Sequence, residues 1–493
     1  MLSGEHNRVQ NYVLIFAVLI FALSYFYQVP QNPPGFYIDE SSICYNAYTI
    51  SVNGQDEYGE SWPLYFRAFG EYKNPSYIYL LSILFRIFGP SILIARLLSA
   101  SLGVIAILLL WWLAFRLSRK VFVASFVAIS ASLTPWLFEN SRLVFEVALY
   151  PALLILFLLA VHKASTKERW GAQEVVSLAL LLTLLTYSYS IGRLFAPLLA
   201  LGFFFFVSRK RLLGMLVIWI VYAASLIPGF VYNARHGGAL MFRFWLLTYI
   251  TPQSSYFEVI RNFITHYFVN INPWAIAITG EQNVRDHVGT MGSILAPTVL
   301  LSLLGIVLVI VRLGREQWWR YLLFALIVAP LPASLTVTEL PQIRLIAVPI
   351  LLHVFMIPSL LWLTATRERW RQATVSLLLL LILSLGVVHR FQFRQAGPER
   401  WYIFDEQFPR EVLPTALAER KLPIYFQDPP GKSGYVQLYW YGLLSGMPAD
   451  NFVRLPAETK PPAGAVVIST AEECSDCTML LKSINYIVYK AGG

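Results

Sequence analysis

The sequence predicts a mainly α fold: a polytopic membrane helix bundle of about eleven spans, with interfacial helices in the first external loop and a small α/β domain at the C-terminal end. Three observations lead there. Of the 493 residues, 57% are hydrophobic and only 13% charged, where a soluble domain carries about a quarter charged residues. Apolar runs of membrane-spanning length recur as far as residue 389. Beyond that point the pattern changes to short strand-like runs and proline pairs.

A spanning helix needs about 20 mainly apolar residues. The candidate spans are 12–29, 90–115, 121–138, 144–162, 174–190, 193–207, 212–232, 292–311, 321–337, 345–364 and 373–389. Nothing after the first run reads as a small-residue cleavage site, so it is expected to stay as an anchor. Loops rich in basic residues alternate with loops poor in them. The rich set holds Arg116, Arg119, Lys120; Lys163, Lys167, Arg169; Arg209, Lys210, Arg211; Arg312, Arg315, Arg320; and Arg367, Arg369, Arg371. The poor set holds Arg142, Arg193 and Arg344, one per loop. Basic loops stay on the cytoplasmic side. The expectation is a multi-pass protein of the cell (inner) membrane with a cytoplasmic N-terminus. Residues 30–89, 233–291 and 390–493 then lie on the extracytoplasmic side.

The net charge of +10 sits mostly in these short loops. No basic tract interleaves with aromatics on a soluble surface, so no nucleic-acid partner is expected. Aromatic residues make up 15% of the chain, which suits anchors at the membrane interface and contact with membrane lipids. Three cysteines are too few for a disulfide scaffold.

Two domains are expected: a transmembrane domain over 1–389, with external loops 30–89 and 233–291, and a soluble α/β domain over 390–493. In the first loop, "YIYLLSILFRIF" (77–88) is too short to span and is expected to lie in the interface, as is 37–50. The loop 233–291 is long for a connection without function. The tail shows strand-like runs at 423–426, 465–469 and 486–489, a helix-like run at 409–420, and turn pairs Pro429-Pro430 and Pro461-Pro462.

The external loops carry the chemistry-bearing side chains. Asp39 and Glu40 follow the first span in "GFYIDESSICYNAYTI". Asp39 reads either as an N-cap for the interfacial helix or as a general base whose basicity is raised by burial. "GEYKNP" adds Glu71 and Lys73, as a solvated loop or as part of a site. Arg142 and Glu146 are spaced to share a helix face, as an ion pair at a span end or as ligands. Arg193 and Arg344 stand on the side where basic residues are disfavoured, as anchors or as partners of a phosphate. The long loop adds Arg261, His266, Arg285, Asp286 and His287; its histidines lack metal-ligand spacing. "ECSDC" (473–477) reads as a local disulfide on the external side, and Cys44 as a buried leftover.

Taken in order, these segments resemble the GT-C glycosyltransferases, in the branch that contains protein O-mannosyltransferases and the lipid A aminoarabinose transferase. The resemblance rests on "FYIDESSICYNAYTISVNG", "EYKNPSYIYLLSILFRIFGPSILIARLLSASLG", "SRLVFE", "TYSYSIGRLFAPLL" and "NFITHYFVNINPWAIAITGEQNVRDHVGTMGSI", and covers about residues 1–390. Such enzymes move a sugar from a polyprenyl-phosphate carrier to an acceptor on the outer face. The resemblance implies Asp39 as catalytic base. It implies Glu40, Glu71, Glu146 and His266 at the acceptor or sugar, and Lys73, Arg142, Arg193 and Arg344 at the donor phosphate. The implied partners are a polyprenyl-phosphate-linked sugar and a glycan, lipid or protein acceptor. Glu146 stands where the branch has Asp, and Leu345 where an aromatic is common.

Some relatives use a divalent cation. Here none is expected to be required, because adjacent Asp39 and Glu40 diverge by about 100° on a helix. The chemistry implied is a single inverting displacement; the tail, which carries no signature of the family, is expected to cover the site and select acceptors. The rival readings are a transporter or flippase and a non-catalytic envelope assembly protein. Transporters bind substrate near the midplane between internal repeats, whereas the charges here cluster at outer helix ends.

Overall fold

A computed structural model describes residues 2–289, 291–366, 368–429, 432–456, 458–471, 473–474 and 476–492. Arg367 of the basic loops and Pro430 of the tail lie outside the described residues. The chain divides into two compact units. One comprises Met1–Tyr27, Ser99–Arg142 and Glu146–Phe393; the other comprises Gln28–Leu98, Leu143–Phe145 and Arg394–Gly493.

The first unit is a membrane-type helix assembly. A bilayer offers no water to backbone polar groups, so spanning segments close their hydrogen bonds internally as helices. Among the described residues, five helices are long and apolar enough to cross alone: Ile92–Ser118, Glu146–Ser165, Leu212–Arg235, Ala296–Leu313 and Arg369–Glu399. Shorter apolar helices Asn11–Phe26, Val121–Leu133, Ala172–Ser188, Gly192–Phe206 and Ala347–Leu363 occupy other candidate spans. The run 321–337 is divided between Gln317–Val328 and a short turn Leu331–Ser334, next to Pro330.

Prolines also break two expected spans. Thr134 leaves the helical region before Pro135, as the residue preceding a proline tends to, and a new helix runs Pro135–Asn140. The span expected from 144 begins with a tight turn, Glu146–Leu149, before the helix Tyr150–Ser165. Residues 142–145 are not helical, so the expected one-turn spacing of Arg142 and Glu146 on a helix does not hold.

Burial sorts the helices. Every residue from Val123 to Leu133 is buried, as is nearly all of Ala347–Leu363; both are central. Leu212–Arg235 instead turns Leu213, Ile220 and Phe230 outward, as a lipid-facing helix does. Close packing uses a small residue: a Cβ on Gly305 would lie 1.6 Å from the Phe355 carbonyl oxygen. The hydroxyls of Ser302 and Ser359 donate across the same pair of helices, to Leu352 O at 2.8 Å and Leu301 O at 2.6 Å. Small residues and short polar bridges of this kind join membrane helices.

The second unit joins residues 28–98 to the tail. Its short hairpin pairs β1 (Phe66–Ala68) with β2 (Glu71–Lys73), and its sheet runs in the order β4-β3-β5-β7-β6. Here β3 is Ile424–Gln427, β4 Phe452–Leu455, β5 Val466–Ser469, β6 Cys477–Lys482 and β7 Ile487–Ala491. β4, β3 and β5 are parallel; β7 and β6 are antiparallel additions. The helices Ile38–Asn53 and Pro75–Phe88 meet a tail helix, Tyr435–Leu444. Trp440 is fully buried, with Phe36 and Phe85 each stacked on it at 5.9 Å. Ser41 donates to Gln437 Oε1 at 2.6 Å, and Gln437 Nε2 donates to Phe36 O at 2.8 Å. The aromatic faces of residues 36–85 need cover, and the tail helix supplies it. Cys474 and Cys477 form a disulfide, and Cys44 is buried and free.

Candidate active site

In the second unit the site is built on the first turn of Ile38–Asn53. Tyr37 is the N-cap residue, and the Glu40 side chain reaches back to accept from Tyr37 N at 2.9 Å. Asp39 therefore does not cap the helix. It stands in the first turn, where a carboxylate is favoured by the helix dipole, and forms an ion pair with Lys73. Lys73 ends β2, just after the turn in which Phe69 and Gly70 both take positive φ. Such a turn suits the twist of a hairpin. Its ammonium lies 5.4 Å from the Phe69 ring centre. The lysine side chain is only 5% exposed, while Asp39 keeps 21%.

Glu40 is placed differently from the expectation that set it at the acceptor. It has no exposure, and neither does its partner Arg96. Its Oε1 accepts from Val144 N at 2.9 Å, and Arg96 Nη2 lies 3.3 Å from Oε2. Arg96 also donates to the carbonyls of Pro33 and Gly35. Glu40 thus fastens the approach to the helix through Arg96, Val144 N and Tyr37 N. Glu71 lies on β2 with intermediate exposure.

In the first unit, one buried carboxylate gathers four donors. Glu139 Oε2 accepts from His287 Nδ1 at 2.8 Å and Gln342 Nε2 at 3.0 Å. Its Oε1 accepts from Val288 N at 2.8 Å and His389 Nε2 at 3.1 Å. Both ring nitrogens of His287 face acceptors, the second being Met291 O at 2.8 Å, which is the pattern of an imidazolium. Burial pulls its pKa down, but the Glu139 charge and hydrogen bond outweigh that and raise it to about 9.

Gln342 links this hub to Arg344. Its backbone N–H donates to Glu281 at 2.7 Å and its side chain to Asp286 O at 3.0 Å. Arg344 donates to Thr336 at 2.9 Å. Burial, with the nearby charges of Arg243 and Arg285, lowers its pKa, against the opposing influence of Tyr189 and Glu281. Tyr189 also has Glu146 and Asp286 as electrostatic neighbours. Arg344 and Glu146 therefore belong to one polar cluster of the first unit. Arg142 is 2% exposed and donates to Tyr25 O at 3.0 Å and Tyr27 O at 2.9 Å. Arg193 donates to Leu240 O at 2.7 Å, and His266 stacks on Tyr249 at 5.3 Å.

Sequence reasoning passed over Arg96, Glu139, Arg243, Gln342 and His389. For Glu139 a signal existed: an acid in "SLTPWLFEN" at the end of an apolar run is a functional or structural marker by default. Among the described residues no group of three or more His, Cys, Asp or Glu is arranged to hold a metal ion.

The architecture has counterparts among solved structures. Among solved structures it is similar to ArnT from Cupriavidus metallidurans bound to undecaprenyl phosphate, with 13% identity, a TM-score of 0.60, and coverage of 97% of this chain and 99% of that one. The apo form of the same protein gives 12% identity, a TM-score of 0.59, and coverage of 99% and 100%. The Archaeoglobus fulgidus oligosaccharyltransferase, in complex with Zn and sulfate, gives 15%, 0.51, and coverage of 90% and 62%. At these identities the likeness establishes the fold. No protein-family model and no curated protein matches the sequence.

Proposed function

We propose that the chain is a membrane glycosyltransferase that moves a sugar from a polyprenyl-phosphate donor to an acceptor at the extracytoplasmic face, with Asp39 as general base. The observation that carries this reading is the Asp39–Lys73 pair. Lys73 is buried and holds Asp39 in one orientation, and Asp39 alone of the two stays open to a substrate. The GT-C fold supports the reaction class, and ArnT, which shares the fold, is a protein seen with undecaprenyl phosphate. The alternation of basic loops supports the orientation.

In this scheme the acceptor O–H or N–H donates its proton to the Asp39 carboxylate as the acceptor atom attacks the anomeric carbon. The bond from that carbon to the phosphate oxygen breaks, and configuration inverts. Negative charge grows on the departing phosphate. Arg344 keeps its proposed place at the donor phosphate, and preorganised charge of this kind contributes about 3–4 kcal/mol per group in comparable sites. Lys73 is assigned to Asp39 rather than to the phosphate, and Glu40 to holding the helix start. Glu71, Glu146, Arg193 and His266 keep their proposed places around acceptor and donor. No metal enters the scheme, because a lysine takes the position of cationic partner to Asp39.

The test is reconstitution of the full chain in sealed vesicles with a polyprenyl-phosphate sugar and an envelope extract. A glycosylated product identified by mass spectrometry supports the reading. Flux of the lipid-linked sugar across the membrane without product would establish a transporter instead.

A further inference from the structure

The second unit holds a cleft of about 800 Å³ that the scheme above does not use. Its volume is within the range of small-molecule sites. Its position follows from the sheet. Parallel strands β3 and β5 are neighbours, and the connection from β3 leads to β4 on one side while the chain leaves β5 toward β7 and β6 on the other. In open α/β sheets the crevice outside the carboxyl ends of two such strands is where ligands bind. The cleft lies there, lined by Lys432 and Ser433 from the segment after β3 and by Thr470 from the segment after β5. Asp428 braces the two segments: it accepts from Gly434 N at 3.1 Å, Tyr435 N at 3.2 Å and Thr470 Oγ1 at 2.8 Å.

The lining is cationic and amphipathic. Lys432 and Lys482 are both exposed. The one carboxylate among the described lining residues, Asp405, is spoken for. It accepts from Gln437 Nε2 at 2.9 Å, Tyr486 OH at 2.9 Å and Asn485 Nδ2 at 2.5 Å. Among the described residues, the Ser483 hydroxyl in the same lining is buried without a hydrogen-bond partner. Tyr402 and Ile484 offer exposed apolar faces. Two exposed positive charges, a hydroxyl unpartnered among the described residues and aromatic surface together fit an anionic saccharide. The lining also reaches Tyr37 and Ile38, the two residues that precede Asp39.

We propose that this cleft is an acceptor subsite for an anionic glycan, a saccharide carrying a phosphate or a carboxylate, held so that a hydroxyl reaches Asp39. The proposal rests on the reading of Asp39 as the base and adds the chemical class of the acceptor.

The probes are maltotriose phosphate, maltotriose ending in a uronic acid, and neutral maltotriose. Each is titrated calorimetrically into the full chain in nanodiscs. The charged probes are expected to bind about tenfold tighter than the neutral one, as charge-assisted hydrogen bonds would give. The gap should shrink with added salt. A preference for phosphate over uronic acid identifies a phosphorylated acceptor, and the reverse an acidic sugar; either supports the subsite. In Lys432→Ala/Lys482→Ala the gap should close, and in Lys432→Arg/Lys482→Arg it should persist. Equal binding of all three probes, or an undiminished gap in the double alanine variant with an unchanged melting temperature, overturns the subsite. Asp39→Asn separates the two readings, since it should lose transfer and keep probe binding. Transfer retained there would remove the base without touching the subsite.

Discussion

Glu40 and Arg96 face each other at 3.3 Å with neither side chain exposed, one residue away from an aspartate that stays partly open. Burial makes this pair a structural commitment. Arg96→Met leaves the Glu40 carboxylate buried without its counter-charge, and breaking a buried pair in this way costs roughly 3–5 kcal/mol. Thermal unfolding in detergent should show the loss, together with faster proteolysis of Ile38–Asn53. Glu40→Gln keeps an acceptor for only one of Val144 N and Tyr37 N and leaves Arg96 buried without its counter-charge, so it should be comparably costly.

Lys73 should behave as a positioning residue. Lys73→Met is expected to lower kcat about 10- to 100-fold, within the range for disturbed general-base catalysis, with KM for the lipid-linked donor nearly unchanged. Lys73→Arg should recover part of the loss. A rise in donor KM with unchanged kcat would return Lys73 to the phosphate.

Stability should carry the signature of His287. Its folded pKa is raised from 6.5 to about 9, so its contribution is fully present below about pH 6.5 and is lost as pH rises through about 9. The magnitude is at most on the order of 3 kcal/mol. Melting temperatures taken from pH 6 to pH 10 should fall across that window, and His287→Asn should flatten this part of the profile. A profile unchanged by the substitution would mean that the Glu139–His287 pair is not charged.

Glu139→Ala removes the acceptor of four donors and strands them in a buried place, a cost of about 1–3 kcal/mol per group. Because Gln342 ties the hub to the loop bearing Arg344, donor KM should rise in Glu139→Gln even where folding is retained. Calorimetric binding of polyprenyl phosphate provides the check.

Much of this fold is legible in the sequence because spans announce themselves by length and apolarity. The breaks at Pro135 and Pro330 lie inside runs whose hydropathy is continuous, so apolarity alone does not mark them. In the tail, β3, β5 and β7 follow from apolar runs. β4 carries an exposed Arg454 at the sheet edge and gives little signal. "YVQLYWYGLL" has strand-like composition yet forms the helix Tyr435–Leu444, since its buried aromatic side must meet Phe36 and Phe85. Residues 30–89 were expected as a loop of the membrane domain and share their compact unit with the tail. The position of Asp39 after the first span was visible. Its pairing with Lys73, and that of Glu40 with Arg96, join residues far apart in sequence and have no local pattern.

The decisive measurement is single-turnover transfer by Asp39→Asn in nanodiscs, with product quantified by mass spectrometry and folding verified by melting temperature. Asparagine keeps the shape but cannot accept the proton, so transfer should fall by roughly 10²–10⁴-fold while donor binding persists. Transfer at the unsubstituted rate by a folded Asp39→Asn protein would contradict the role given to this aspartate.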